Sequence, residues 1–189
     1  PPYSSAASDV YKRQAFKWLV RTASIIMSVV SNLIYTYRSP SKAFEFMYGR
    51  PTKEATSLGY LMGACFLTYV AQWPYLARQS HLEDFNLQTS LAASLLAWLL
   101  IAPLLLYCVA ILVYFLHRVL GGGKTSGQIR VGLFWSFFAA TPMMMLFGLV
   151  KGFLGSGTAE NVVGFFWFMA LSYFILCAVV RAKVGGAAQ

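Results

Sequence analysis

The chain has 189 residues, of which 58% are hydrophobic and 11% are charged. A soluble domain is about one-quarter charged and under half apolar, so one domain of this length could not hide so much apolar surface from water. The same composition excludes collagen-like, disordered and disulfide-scaffold classes. The sequence therefore predicts a small multispanning membrane protein, with lipid as the solvent for most of the chain.

The charge is unbalanced, with 15 Lys and Arg against 6 Asp and Glu and a formal net charge of +9. In a soluble domain this balance would suggest nucleic-acid binding. In a membrane protein, basic residues flank the spans on the cytoplasmic side, which explains the same excess. We therefore expect no nucleic-acid partner.

The first residues differ from the rest of the chain. Residues 4–14 read SSAASDVYKRQ and resemble translated sequencing-adapter sequence. We accordingly expect residues 1–14 to be a non-native or disordered tail and leave them out of the fold prediction.

Residues 16–37 have the period of an amphipathic helix, with apolar side chains on one face and serines, Lys17 and Arg21 on the other. We favour a helix that lies in the membrane interface, anchored by Lys17, Trp18 and Arg21 and ending at Arg38. The alternative is a short span. The uncharged part of such a span would be shorter than a hydrocarbon core of about 30 Å, and placing its serines in lipid would cost free energy.

A second, shorter amphipathic helix is expected at 42–48, after a break at which Ser39 or Ser41 can cap it. Both helices belong to the first of three predicted regions. These are a cytoplasmic or interfacial arm at 15–56, a membrane domain at 57–181 and a cytoplasmic tail at 182–189.

Four long apolar runs predict four transmembrane helices. Together with the N-terminal amphipathic helix, they define an all-α integral membrane bundle. Each run reaches the roughly 20 residues needed to cross a bilayer. The runs lie at about 57–76, 87–116, 129–154 and 161–180. The second is overlong and contains Pro103, so we expect a tilt or a kink there.

Lys and Arg residues alternate between the two sides of these predicted spans. The segments on one side hold 13 of them, and the intervening loops hold 2. Because basic residues are retained on the cytoplasmic side, both termini are predicted to be cytoplasmic.

No motif points to catalysis, a cofactor or a bound metal. Residues 121–125, GGGKT, look like the end of a phosphate-binding loop, but the full motif needs a preceding strand and a glycine where Arg118 stands. A flexible cytoplasmic hairpin explains this segment better. His81, Glu83 and Asp84 fit a solvated loop better than a metal site, because no second histidine is near.

The predicted spans have no ionisable residue near their middle, which argues against a proton-driven pump or an intramembrane protease. Cys65, Cys108 and Cys177 lie in separate apolar runs and are expected to pack as small apolar residues. At the end of the second run, His117 and Arg118 are interpreted as an interfacial anchor for lipid phosphates.

Small residues spaced four apart predict close helix packing. The pairs are Gly59 with Gly63, Ser90 with Ser94, Ala93 with Ala97, and Gly148 with Gly152. We favour packing within the chain, because four helices must bury some faces internally, with packing between chains as the alternative.

The ordered motifs resemble those of bacterial members of the Yip family, multispanning proteins named for the Ypt/Rab-interacting protein. The most specific element is Ala71, Gln72, Trp73 and Pro74, which closes the first predicted span. Weaker parts of the pattern, within about 37–181, lie at 37–40, 117–118, 121–123, 132–135, 140–142 and 148–152.

The resemblance implies a cytoplasmic N-terminal region and an all-helical membrane domain, commonly with five spans against the four counted here. Either the helix at 16–37 is the fifth, or this branch lacks one. The Rab partners of eukaryotic relatives do not apply to a bacterium, and the resemblance supplies no catalytic residue.

We therefore expect a non-enzymatic protein of the bacterial inner membrane that acts as a scaffold or membrane-organising factor. Its expected partners are the lipid bilayer and a second copy or another membrane protein. The alternative is a small transporter or channel for an uncharged or lipidic molecule, built on kinks at Pro103 and Pro142. A lipid-modifying enzyme that uses His81, Glu83 and Asp84 is the weakest option.

Overall fold

The computed structural model of the chain describes residues 4–49, 54–83 and 86–182. Helices cover 91% of these residues, and none of them lies in a strand, so the predicted all-α class is confirmed. The chain divides into two compact units, one up to Ser39 and one from Pro40 onward. Asp84 and nearly all of the predicted tail at 182–189 lie outside the described residues.

The helices are α1 (Ser4–Arg38), α2 (Pro40–Tyr48), α3 (Glu54–Ala71), α4 (Trp73–Leu82), α5 (Leu87–Leu96), α6 (Ala102–Val119), α7 (Ser126–Leu154) and α8 (Thr158–Leu176). One π-helical turn, Ala97–Ile101, joins α5 to α6, and a second, Cys177–Arg181, follows α8.

Helix α1 makes up the described part of the first unit and is continuous over 35 residues. It includes residues 4–14, which are helical rather than disordered, because no Gly or Pro interrupts this stretch. Its segment Lys12–Arg38 is long and apolar enough to cross a membrane, and only 6% of its most apolar stretch is buried.

Among the described residues, four helical segments are long and apolar enough to span a membrane: Lys12–Arg38, Leu87–Val119, Ser126–Leu154 and Thr158–Arg181. The last three overlap three of the predicted spans. The predicted span at 57–76 is not one continuous helix, because α3 ends at Ala71 and α4 begins at Trp73. The number of qualifying segments equals the number of predicted spans, but Lys12–Arg38 stands among them in place of the broken segment α3–α4.

Helices α3 and α4 nevertheless accompany α7 along its length. At one end, Arg130 near the start of α7 pairs with Glu54 at the start of α3, with an N–O distance of 2.8 Å. At the other end, Gly152 of α7 lies against Pro74 of α4. The broken segment α3–α4 is therefore parallel to α7 and reaches as far as α7 does.

The segment α5–α6 runs antiparallel to α3. The hydroxyl of Ser94 on α5 donates to the side-chain oxygen of Gln72, at 2.7 Å, beyond the end of α3. The hydroxyl of Tyr107 on α6 donates to the carboxylate of Glu54, at 3.2 Å, at the start of α3. These two contacts fix both the direction and the register of the pair.

Helix α8 returns antiparallel to α7. Glu160 in its first turn pairs with Lys151, near the end of α7. Ala178, in the π turn that follows α8, approaches Gly132 near the start of α7. The second unit is therefore an up-down-up-down bundle, with the hairpin 120–125 at one end and the end of α4, the start of α5 and the connection 155–157 at the other.

Helix α7 lies in the interior of the second unit. Of its most apolar stretch, 44% is buried, against 11% for α5–α6 and 17% for α8 with its π turn. Phe134 and Trp135 of α7 are almost fully buried, and Phe134 joins a core with Leu61 and Cys65 of α3 and Ala110 of α6. Large apolar residues on the outer helices therefore face outward.

The two prolines of the spans act differently. Pro103 is the second residue of α6, just beyond the π turn that interrupts this run. Pro142 lies inside α7, which continues through it. Because Pro142 has no amide hydrogen, it leaves the carbonyl of Phe138 without its helical donor, and the hydroxyl of Thr141 donates to that carbonyl at 2.8 Å.

Helix α2 belongs to the bundle and not to a separate arm. Ala43, Phe44 and Tyr48 are buried, and the hydroxyl of Tyr48 donates to the carbonyl of Ala178 at 2.9 Å. The predicted boundary at 56/57 is therefore wrong, and the division falls before Pro40. The apolar face of α2 is covered by the bundle, so the helix does not need a membrane surface to bury it.

Candidate functional site

The four residues Ala71, Gln72, Trp73 and Pro74 form the break between α3 and α4. The amide of Gln72 still donates to the carbonyl of Tyr69, at 3.1 Å, which closes the last turn of α3. Pro74 then occupies the first turn of α4, where a helix needs no amide donor. The local sequence thus ends one helix and starts the next without a connecting loop.

The glycines of α7 lie directly against this break. A Cβ on Gly148 would lie 1.8 Å from the carbonyl oxygen of Ala71, and a Cβ on Gly152 would lie 2.4 Å from the Cβ of Pro74. Only glycine permits such an approach of two backbones. The structure therefore brings together the Ala-Gln-Trp-Pro element and the Gly148–Gly152 pair, which the sequence singled out separately.

Gln72 connects the break to a third segment. Its side-chain oxygen accepts the hydrogen bond from Ser94 on α5, and both side chains are half-buried. In a bilayer, such an interhelical bond contributes about 0.6 kcal/mol on average. Ser94 was predicted to lie at a helix contact, and in the structure its hydroxyl makes this contact as a hydrogen-bond donor.

Lys151 closes the site on the α7 side. Its ammonium group pairs with the carboxylate of Glu160 at 3.0 Å and lies 4.2 Å from the centre of the Tyr75 ring. Both charged side chains are largely withdrawn from solvent, with 26% and 14% of their surface exposed. Lys151 is one turn beyond Gly148 and faces the same way, a spacing from which its position could have been predicted.

Arg78 of α4 caps the end of α7. Its guanidinium donates to the carbonyls of Phe153, at 2.8 Å, and Gly152, at 3.3 Å, which have no helical donors of their own. The positive charge also suits the negative end of the helix dipole. Gly155, with φ of +81°, then turns the chain away from the helix. From the sequence, Arg78 and Lys151 were only the two basic residues on the side of the predicted spans with few such charges.

A cavity of about 250 Å³ lies between the break and α7. Its lining residues come from both sides and are Ala71, Gln72, Tyr75, Met144, Phe147, Gly148 and Lys151. The cavity offers an amide, a phenol and an ammonium group that is already paired with a carboxylate. These groups can hydrogen-bond a small polar molecule, but they do not form a nucleophile–base pair.

The members of the other predicted packing pairs differ in whether they are close to a neighbouring residue. A Cβ on Gly63 would meet the Phe138 ring at 3.1 Å, whereas Gly59 is exposed and has nothing within 4 Å of that position. Ser90 is half-buried, Ala93 is exposed, and Ala97 begins the π turn. Four-residue spacing alone therefore does not identify a contact, because only one of the two residues needs to face a neighbour.

The predicted interfacial residues lie at helix ends or on α1. Lys17, Trp18 and Arg38 are exposed on α1, and Trp18 keeps 70% of its surface. The side chain of Arg21 is outside the described part of the chain. His117 and Arg118 occupy the last turn of α6, as the sequence predicted for the end of that run.

The segment GGGKT follows a helix, α6, and not a strand. It therefore differs from a phosphate-binding loop in its structural context as well as in its sequence. His81 and Glu83 are exposed at the end of α4. Within the described residues, no group of three or more His, Cys, Asp or Glu side chains is placed to hold a metal ion.

Comparisons of the chain with protein-family models, with curated proteins and with solved structures find no match in any of the three. Over the part of the chain that the structure describes, the fold defines a class: an all-α protein with four helices that are long and apolar enough to cross a membrane. The resemblance to the Yip family is carried by the residues of the chain alone.

Proposed function

We propose that this chain is a non-enzymatic integral membrane protein of the Yip type that serves as a scaffold or membrane-organising factor. It acts by helix packing and lipid contact, in a bacterial inner membrane and with both termini in the cytoplasm. The observation that carries the proposal is the contrast between the closely packed α7 and the outward-facing apolar side chains of the helices around it.

The outer helices present more apolar surface than water would tolerate. On α6, Leu104, Ile111 and Phe115 are more than 60% exposed, and on α8, Phe165 and Phe168 are nearly so. Large contiguous apolar surfaces mark contact with lipid or with another protein. Because no charged group interrupts these faces of α6 and α8, they support a role in lipid and protein contact within the bilayer.

The charged residues of α7 mark out the thickness of a bilayer. Arg130 and Lys151 lie about 32 Å apart along the helix at about 1.5 Å per residue, close to a hydrocarbon core of about 30 Å. Each is paired with a carboxylate, Glu54 or Glu160. This spacing supports a membrane crossing by α7, and also by α3–α4, which accompanies it from end to end.

Photocrosslinking in native membranes tests the proposal. A benzophenone amino acid is placed at Leu104 or Ile111 on the exposed face of α6, with Phe174, which is buried, as the matched position. We expect a reproducible protein adduct of defined mass from the exposed positions and none from Phe174. Adducts to lipid alone, from a chain that remains monomeric, would contradict a scaffold role.

A second candidate is a small transporter or channel for an uncharged or lipidic molecule, and the cavity beside Gln72 favours it. We rank it second because the cavity borders Lys151, near one end of α7, and neither Pro103 nor Pro142 lines it. Proteoliposome swelling with glycerol as the probe separates the two candidates. Flux above that of protein-free liposomes, abolished by Gln72→Leu, would favour the transporter.

A further inference from the structure

The hairpin between α6 and α7 borders a second, open cavity of about 490 Å³, at the opposite end of the bundle from Gln72. Its walls are the end of α6, residues 121–124 and the last residues around the π turn after α8. It therefore lies where two segments that are long and apolar enough to span a membrane both end. The proposed scaffold role makes no use of it.

The charge around this cavity is positive. Lys124 lines it and is only 6% exposed, while Arg118 and Arg181 are exposed at the adjoining helix ends. No Asp or Glu is among its lining residues. Burial lowers the pKa of Lys124, so an anion placed here would stabilise the charged form of the side chain.

Helix C-termini normally repel anions, because their last carbonyls carry partial negative charge. Here those carbonyls are already occupied. The ammonium group of Lys124 donates to the carbonyls of Ala178 and Val179. The amides of Gly121 and Gly122 donate back to carbonyls of the last turn of α6. The carbonyls of His117, Arg118, Ala178 and Val179 are therefore already hydrogen-bonded at this cavity.

The hairpin backbone is held in a shape that leaves two amides available. Gly121 has φ of +81°, in the left-handed region, and a Cβ on Gly122 would lie 2.1 Å from Nε2 of His117. Among the described residues, no backbone carbonyl accepts from the amides of Gly123 or Lys124. Successive amides after a left-handed residue form the kind of concavity that binds anions.

Apolar side chains border the same cavity. Leu120 and Val180 are both lining residues and remain 81% and 69% exposed. A free phosphate gains nothing from such neighbours, whereas the glycerol and upper acyl carbons of a phospholipid would cover them. The combination of amides, positive charge and apolar rim at a helix end indicates a ligand that is anionic at one end and apolar at the other.

We propose that this cavity binds the phosphate headgroup of an anionic phospholipid, held by the hairpin amides and by the positive potential of Lys124, Arg118 and Arg181. The proposal deepens the lipid-contact part of the proposed function and rests on it only for the membrane location. The scaffold role is decided separately by the photocrosslinking experiment.

The test reconstitutes the full chain in nanodiscs of phosphatidylcholine with phosphatidylglycerol and measures the lipids retained on the protein by native mass spectrometry. We expect the wild type to retain phosphatidylglycerol preferentially and Lys124→Met to lower that preference about tenfold, as the loss of a nearly buried positive charge beside the phosphate would. Lys124→Arg is expected to restore it. Lys42→Gln removes an exposed positive charge of α2 that does not line the cavity, and it should leave the preference unchanged.

Lys124 also caps the turn after α8, so the thermal unfolding of each variant is measured in parallel. If Lys124→Met unfolds, the proposal is tested instead with the double variant Arg118→Gln, Arg181→Gln. Both of these side chains are exposed, so their replacement should not disturb the fold. We expect that double variant to lose several-fold preference with unchanged unfolding. The proposal would be overturned if this double variant kept the wild-type preference for phosphatidylglycerol. It would also be overturned if Lys42→Gln lost as much of that preference. The assignment to lipid would be overturned if inorganic phosphate, added to the protein in phosphatidylcholine nanodiscs, raised its unfolding temperature as much as phosphatidylglycerol does.

Discussion

The carbonyl oxygen of Ala71 faces Gly148 so closely that a Cβ on Gly148 would lie 1.8 Å from it. Both partners in this contact are backbone atoms, so no change of rotamer can relieve a clash. The contact joins the break between α3 and α4 to the central helix α7. The geometry of the break therefore depends on a residue 77 positions further along the chain.

The first prediction concerns this contact. We expect Gly148→Ala to lower the free energy of unfolding by about 1–3 kcal/mol, the usual cost of overpacking. Gly59→Ala on α3 is the matched control, because its Cβ would have open space and Ala favours a helix over Gly. Unfolding by denaturant titration in bicelles measures both variants. Equal destabilisation by the two would show that the close approach at Gly148 is not what the substitution disturbs.

The second prediction concerns the hydrogen bond from Ser94 to Gln72. In a double-mutant cycle with Ser94→Ala and Gln72→Leu, we expect a coupling energy of about 0.6 kcal/mol, the average for such bonds in a bilayer. Ser90→Ala, one turn earlier on α5, replaces Ser94→Ala in the control cycle. It should show no coupling to Gln72→Leu. A coupling of the same size there would contradict a specific bond.

The third prediction is a pH dependence that comes from Tyr48. Burial raises the pKa of its phenol above the ordinary value of 10.0, so above pH 10 the unfolded chain loses a proton that the folded chain keeps. The free energy of unfolding should therefore fall as pH rises above 10, by up to about 1.4 kcal/mol per pH unit from this residue. Tyr48→Phe should remove that part of the slope.

Tyr48→Phe also loses the hydrogen bond to Ala178, so we expect it to be less stable than the wild type by about 1 kcal/mol at neutral pH. The free energies of unfolding of the wild type and of Tyr48→Phe, each plotted against pH, should then converge above pH 10. The lowered pKa of Lys124, whose ammonium lies 5.6 Å from the Tyr48 ring, acts in the opposite direction just below pH 10.5. Parallel curves for the two proteins through the alkaline range would contradict the prediction.

The fourth prediction concerns the arm. If α1 lies in the interface, Lys12→Cys and Lys42→Cys are reached by a membrane-impermeant thiol reagent from the same side. We expect this result because the polar residues of 16–37 lie on one face of the helix. Labelling from opposite sides would show instead that Lys12–Arg38 spans the membrane, as its length and composition permit. The native Cys65 and Cys177 are buried, and Cys108 is replaced by Ala to remove its signal.

The apolar runs predicted three of the helices well. The segments at 87–116, 129–154 and 161–180 correspond to α5–α6, α7 and α8 with its π turn. Hydropathy succeeds here because these helices must satisfy their backbone groups internally within lipid. Hydropathy did not reveal the break within 57–76, where α3 ends before Pro74 and the neighbouring α7 covers the backbone. A run of apolar residues does not reveal which other helix will pack against it.

The site could be predicted only in parts. Gly148, Gly152 and the Ala-Gln-Trp-Pro element were each recognised from their own pattern, but nothing in either pattern indicated that they meet. Lys151 and Arg78 were counted as topology signals, whereas the structure places one against Glu160 and Tyr75 and the other at the end of α7. Their partners are supplied by other helices, so local sequence carries no record of them.

The sequence by itself determined the solvent of this protein and the approximate limits of most of its helices, because lipid burial and helix length depend on composition along a short stretch of chain. Only the tertiary structure decided which glycines touch a neighbour, that α3–α4 is broken and follows α7, and that the hairpin at 121–124 borders a positively charged cavity. Those features depend on how each helix is rotated about its axis, and that rotation is settled by packing between segments far apart in the chain.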